Sequence, residues 1–142
     1  MGIPNITILL AEDFRPYRTF VMSLLGANPT FHVVCEASDG LEAVARAQEL
    51  RPDVVLMDIG LPKLNGLEAA RRIRRVAPSS KILFLTQVTD PDVVHEALSL
   101  GASGYIAKQQ AGTELLMGLA AVLQGKHFVS SRLVGNEVGS RR

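Results

Sequence analysis

The sequence holds one cysteine, Cys35, so no internal disulfide can staple the fold. Cys35 lies in a β-like run, and a buried, inert thiol is the reading that position favours over a reactive one. No apolar run approaches the length of a membrane-spanning helix. The N-terminus has no basic region ahead of an apolar stretch, so no secretory signal is legible. Charge of one sign is missing too. Fifteen Lys and Arg stand against fourteen Asp and Glu, a net +1, which gives the domain as a whole no electrostatic reason to bind nucleic acid or a membrane. A reducing, cytoplasmic setting is expected. Neither a repeat at solenoid periods nor a low-complexity segment is visible.

What remains is an ordinary globular composition. With 47% hydrophobic and 20% charged residues, the chain has enough apolar surface to fold, and 142 residues suit one domain. The central stretch is Val54-Val55-Leu56-Met57-Asp58, four apolar residues closed by a carboxylate. A short Val-rich run predicts a strand buried on both faces, as in a parallel sheet, and Gly60 and Pro62 end it.

The same pattern recurs along the chain. Apolar runs at Ile6–Ala11, Phe31–Ala37, Ile82–Thr86 and Gly104–Ala107 predict four more strands. Between and after them lie helical faces: Tyr17, Phe20, Val21, Leu24 and Leu25; then Leu41, Val44, Ala45 and Gln48; then Ala69, Ala70, Ile73, Val76 and Ala77. Val94, Ala97, Leu98 and Gly101 mark a fourth helix, and Leu116, Leu119, Ala120 and Leu123 the inward face of a fifth. On that reading Leu115, Met117 and Val122 are partly exposed and mark a dimer or domain contact. Five strand-then-helix units argue an α/β fold, a five-stranded parallel sheet with helices on both faces. From Lys126 the pattern decays, so residues 1–130 are expected to form the domain and 131–142 a linker or tail leading out of a fragment.

Right-handed crossovers gather the carboxyl ends of all strands on one edge. Those ends carry Glu12 and Asp13, Asp58, Thr86 and Lys108. Clustered carboxylates repel unless a cation intervenes. Mg²⁺ takes oxygen ligands and bridges to phosphate. An aspartate can act as a nucleophile and become an acyl phosphate, with a metal and Lys108 neutralising the transferred oxygens.

Glu12-Asp13, Asp58 with Leu61-Pro62 and Gly66 downstream, Thr86, and Lys108 after Gly104-Tyr105-Ile106-Ala107 resemble the receiver domains of two-component response regulators. The segment Ala97–Tyr105 is most similar to the NarL/FixJ (LuxR-type) subfamily, whose receivers precede a helix-turn-helix DNA-binding domain. The resemblance implies a flavodoxin-like sheet of order 2-1-3-4-5. It implies that Asp58 accepts a phosphoryl group from a sensor histidine kinase. Asp13, Asp58 and the backbone carbonyl of Gly60 would hold Mg²⁺, with Glu12 acting through water. Lys108 would pair with the phosphate, Thr86 would move toward it, and Tyr105 would rotate inward. The fourth helix, fifth strand and fifth helix would form the altered surface, with homodimerisation on phosphorylation and DNA contact only through a separate output domain. Gln87 and Gln109 depart from the family pattern, which favours a small residue and a proline there.

Other classes fit less well. A stand-alone receiver acting through protein partners is the nearest alternative. A dehalogenase-like aspartyl-phosphate enzyme needs a second acid where Gly60 stands. A nucleotide- or flavin-binding module needs a glycine loop where Glu12-Asp13-Phe14-Arg15 stands. Arg71, Arg72, Arg74 and Arg75 read as a solvated helix face. His32, His95 and His127 are too scattered for a zinc site.

Overall fold

Val54–Met57 forms β3, and all four side chains are fully buried. The structure, a computed structural model, describes residues 5–131 and residue 133. Around β3 stand β1 (Ile6–Ala11), β2 (Phe31–Ala37), β4 (Lys81–Thr86), β5 (Gly104–Ala107) and β6 (Phe128–Val129). Every pairing is parallel and the order is β2-β1-β3-β4-β5-β6. The expected five-strand order is present. A sixth strand extends it on the far side of β5, so the sheet has six strands rather than five. Phe128-Val129 is too short to stand out as a strand in the sequence, and only an available sheet edge makes it one.

Alternate strand residues point to opposite faces. Leu9, Val55, Met57, Phe84 and Tyr105 face α2 (Gly40–Leu50), α3 (Gly66–Val76) and α4 (Pro91–Ser99) through Ala43, Ala47, Ala69, Ala70, Ile73 and Ala97. Ile8, Leu10, Leu56, Leu83, Leu85 and Ile106 face α1 (Arg15–Leu25) and α5 (Ala111–Leu123). Among the described residues, no helix is long and apolar enough to cross a membrane.

Three helix faces differ from expectation. On α5 the buried residues are Leu115, Gly118, Leu119 and Val122, while Leu116 and Met117 are exposed. The helix is apolar nearly all round, so two faces fit the 3.6-residue period equally. Packing selects one, because Gly118 lets α5 approach Ile106 and Phe128 closely. On α2, Gly40, Ala43 and Ala47 are buried, and Leu41 is exposed. A Cβ at Gly40 would lie 1.8 Å from the carbonyl oxygen of Leu64, so small residues form that contact rather than the larger apolar ones. On α1, Val21 and Leu25 are buried but Phe20 is exposed. Cys35 is half-buried rather than buried, since β2 is an edge strand.

Within the segment expected to be a tail, Leu133 is buried in the core. Residues 132 and 134–142 of that segment lie outside the described residues.

Candidate functional site

The parallel register brings the strand ends together. Ala11 pairs with Met57, so their successors Glu12 and Asp58 leave the sheet side by side. Thr86 pairs with Ala107, which sets Thr86 beside the backbone that carries Lys108. After Asp58 the chain folds back tightly: the amide of Gly66 donates to the carbonyl of Ile59 at 2.7 Å. Asn65 caps α3 by accepting from the amide of Glu68.

Lys108 is the hub of the resulting cluster. Its ammonium lies 2.8 Å from Glu12 Oε1 and 3.0 Å from Asp58 Oδ2. Glu12 is nearly fully buried, and its other oxygen accepts from the amide of Phe14. The free oxygen of Asp58, Oδ1, accepts from the amide of Gly60 at 3.3 Å. Asp13 is exposed and completes the group: one oxygen each from Glu12, Asp13 and Asp58 lie within 4.8 Å of one another. Burial works against a charged Lys108, but hydrogen bonds to Glu12 and Asp58, and the charges of both, outweigh it and raise its pKa. The amine therefore stays an ammonium.

The cluster floors an open cleft of about 420 Å³, also lined by Phe14, Gly60, Thr86, Gln87 and Val88. Nothing lies within 4 Å of a Cβ built on Gly60, so the cleft is open on that side. Thr86 is fully buried, and its hydroxyl oxygen accepts from the amide of Val88 at 3.3 Å.

Tyr105, which the resemblance implies turns inward, already stands inward in this conformation. Its side chain is already fully buried, with its hydroxyl donating to the carbonyl of Val88 at 2.6 Å. No inward rotation is left for it to make from this conformation. Burial, then the charges of Asp58 and Asp90, push its pKa up, so the phenol remains a donor.

A further residue belongs to the site that periodicity could not flag. Tyr17, expected only as part of an apolar helix face, donates its hydroxyl to the carbonyl of Lys108 at 3.0 Å. Its ring also lies under the Lys108 ammonium, 4.6 Å from the centroid. Burial first, then Glu12 and Asp58, raise its pKa as well. Nothing in the helical pattern distinguishes such a tyrosine from a packing residue.

The arginine run stands apart from the cleft. Arg71 pairs with Glu68 and Glu96, Arg72 with Glu68, and Arg74 donates to the carbonyl of Pro78. That is the solvated face expected of it.

The donor set fits a hard divalent cation. Three carboxylates held together against one ammonium leave two negative charges uncompensated, and every available ligand atom is oxygen.

A family model described as the response regulator receiver domain matches residues 8–120. The transcriptional regulatory protein DegU of Brevibacillus brevis is 34% identical over 138 residues, 97% of this chain and 58% of DegU. The chain thus spans little more than half the length of that relative. Among solved structures, a LuxR-family two-component response regulator from Aurantimonas sp. SI85-9A1 superposes with a TM-score of 0.92 at 32% identity, covering 96% of this chain and 98% of that one. The isolated receiver domain of RcsB from Salmonella enterica serovar Typhimurium, solved in the presence of phosphomimetic BeF3-, gives 0.86 at 26% identity, covering 92% and 96%.

Proposed function

This chain belongs to the family of response regulator receiver domains, and on that premise we propose that Asp58 is the side chain that takes the phosphoryl group. The observation that carries this reading is the Lys108 ammonium shared between Asp58 and Glu12, with Asp13 beside them, at the floor of an open cleft.

A carboxylate oxygen of Asp58 attacks phosphorus of the donor. The bond from phosphorus to the donor nitrogen breaks as the acyl phosphate forms; that histidine nitrogen keeps the bonding electron pair, and the imidazole proton stays on the other ring nitrogen, so the leaving group is a neutral imidazole. Asp58 Oδ1, held only by the long bond from Gly60, is the oxygen less tied to Lys108. Lys108 then neutralises a phosphoryl oxygen. Asp13, Asp58 and the carbonyl of Gly60 would hold Mg²⁺, with Glu12 in reserve through water, since Glu12 already engages Lys108. Bound there, the ion would supply charge neutralisation of the transferred oxygens. Thr86 would turn its hydroxyl from Val88 to the phosphoryl group.

The domain so described acts as a switch rather than a turnover enzyme, because Gly60 supplies no second acid for hydrolysis. A sensor histidine kinase would be the donor. The surface of α4, β5 and α5 would carry the change, with a homodimer and a DNA-binding output domain as its readers. A receiver that runs on through Ser131 and Leu133 rather than stopping at residue 130, and a cytoplasmic setting, belong to the same proposal.

The test is intact-mass analysis after incubation with a small phosphodonor and Mg²⁺. The wild type gains one hydroxylamine-sensitive phosphoryl group and Asp58→Asn gains none. A variant that still gained it would refute the assignment.

A further inference from the structure

We propose that Tyr17 is a positioning residue for Lys108, holding its ammonium over the acidic cluster so that it can pass from Glu12 to an incoming phosphoryl oxygen. The inference rests on the assignment of Asp58 above, and adds a residue outside the cluster itself.

Three observations carry it. First, Tyr17 contacts both ends of one lysine. Its hydroxyl donates to the Lys108 carbonyl at 3.0 Å, and its ring underlies the Lys108 ammonium at 4.6 Å. A tyrosine serving only to fill space needs neither contact. Second, Lys108 opens a short 3-10 turn, Lys108–Gln110, and its carbonyl also accepts from the amide of Ala111. The Tyr17 bond therefore ties α1 to the backbone at the strand end where the lysine side chain departs. Third, the ammonium is otherwise held only by carboxylates, Glu12 and Asp58, which are the groups a divalent ion would draw on.

The ring has a use the carboxylates lack. A cation over an aromatic face is attracted without an ionic partner. When a metal competes for the carboxylates, the ammonium keeps that third contact instead of swinging into solvent. Position follows from local sequence: α1 starts at Arg15 with Pro16 in its first turn, and Tyr17 falls in that same turn, shortly after the strand end that carries Glu12 and Asp13.

The experiment uses the whole chain and two variants. Tyr17→Leu removes both contacts, whereas Tyr17→Phe keeps the ring and loses the bond to the carbonyl. Two readouts are taken. In the first, with no phosphate mimic present, the ε-methylene protons of Lys108 are shifted upfield by the ring in the wild type. Tyr17→Phe retains most of that shift and Tyr17→Leu loses it. In the second, calorimetry measures Mg²⁺ affinity alone and then beryllofluoride affinity at saturating Mg²⁺. Tyr17→Leu weakens beryllofluoride roughly tenfold, Tyr17→Phe less, and Mg²⁺ affinity stays within twofold in both.

Unchanged beryllofluoride affinity in Tyr17→Leu overturns the proposal, as does an equal loss of Mg²⁺ and beryllofluoride affinity, which marks a general loosening. If the wild type itself binds no beryllofluoride, the assignment of Asp58 fails. The ring-current shift of Lys108 then still decides whether Tyr17 holds the lysine.

Discussion

The hydroxyl of Tyr105 donates to the backbone carbonyl of Val88 at 2.6 Å. Val88 lines the cleft, so this bond pins the loop after β4 to the buried end of β5. Tyr105→Phe keeps the buried ring and its packing on Phe84 but loses the bond. Stability should fall by about 1 kcal/mol in a urea titration. Amide exchange should quicken from Gln87 to Asp90 and stay unchanged in β1. Equal protection in both proteins would show that the bond does not order the loop.

Divalent cations should stabilise the fold. Binding to the native acidic cluster alone raises stability by about 2.7 kcal/mol at a hundred times the dissociation constant. A thermal melt with Mg²⁺ should therefore shift upward. Asp13→Ala, which removes the exposed member of the cluster, should lose most of the shift without lower stability in the metal-free state. A full Mg²⁺ shift in that variant would exclude Asp13 as a ligand.

The Lys108 ion pairs set a direction for alkaline stability. Burial opposes the ammonium, but the bonds to Glu12 and Asp58 raise its folded pKa above the ordinary lysine value of 10.5. The stabilisation is fully present below that ordinary value and is lost as pH rises through the raised folded one. The stability difference between wild type and Lys108→Met should accordingly be flat through neutral pH and shrink only on the alkaline side. Chemical denaturation across that range measures it. A gap that closed at neutral pH would contradict the charged lysine.

Ser130 joins three elements. Its hydroxyl oxygen accepts from the amide of Ala107 at 3.0 Å and its hydroxyl donates to Glu114 Oε1 at 2.6 Å. Glu114 Oε2 accepts from Ser131 in turn. All of Ser130 is buried, so Ser130→Ala strands the buried amide of Ala107 and the Oε1 oxygen of Glu114. The expected cost is about 1–3 kcal/mol. Glu114→Ala should cost a similar amount, and the double variant less than the two combined, because they share one network. Simple additivity would show that the chain of bonds is not a unit.

Gly66 admits no side chain. A Cβ there would lie 2.2 Å from the carbonyl oxygen of Asp58 and 2.7 Å from Ile59 Cα. Both are backbone, which has no rotamer to yield. Gly66→Ala should lower stability by about 1–3 kcal/mol or more and displace Asp58. Mg²⁺ affinity in the folded variant should fall with it, whereas Gly60→Ala, facing open space, should leave stability nearly unchanged. Equal effects at the two glycines would argue against the tight return after Asp58.

Much of this protein was legible along the chain. Short apolar runs closed by polar residues marked five strands, and a parallel sheet then had to deliver Glu12, Asp13, Asp58, Thr86 and Lys108 to one edge. That inference needs only local pattern and the handedness of crossovers, which is why it survives without coordinates. The tertiary structure decided what local pattern leaves degenerate. An all-apolar α5 has no preferred face until Gly118 meets Ile106 and Phe128. A two-residue β6 becomes a strand only against β5. Ser130 looks like loop until it meets Glu114 across the fold. Tyr17 reads as apolar bulk and Tyr105 as a residue that turns inward, and only the position of Lys108 and Val88 gives their hydroxyls partners. A side chain's period fixes the face it occupies, but the atom it binds across the fold depends on how separate elements pack.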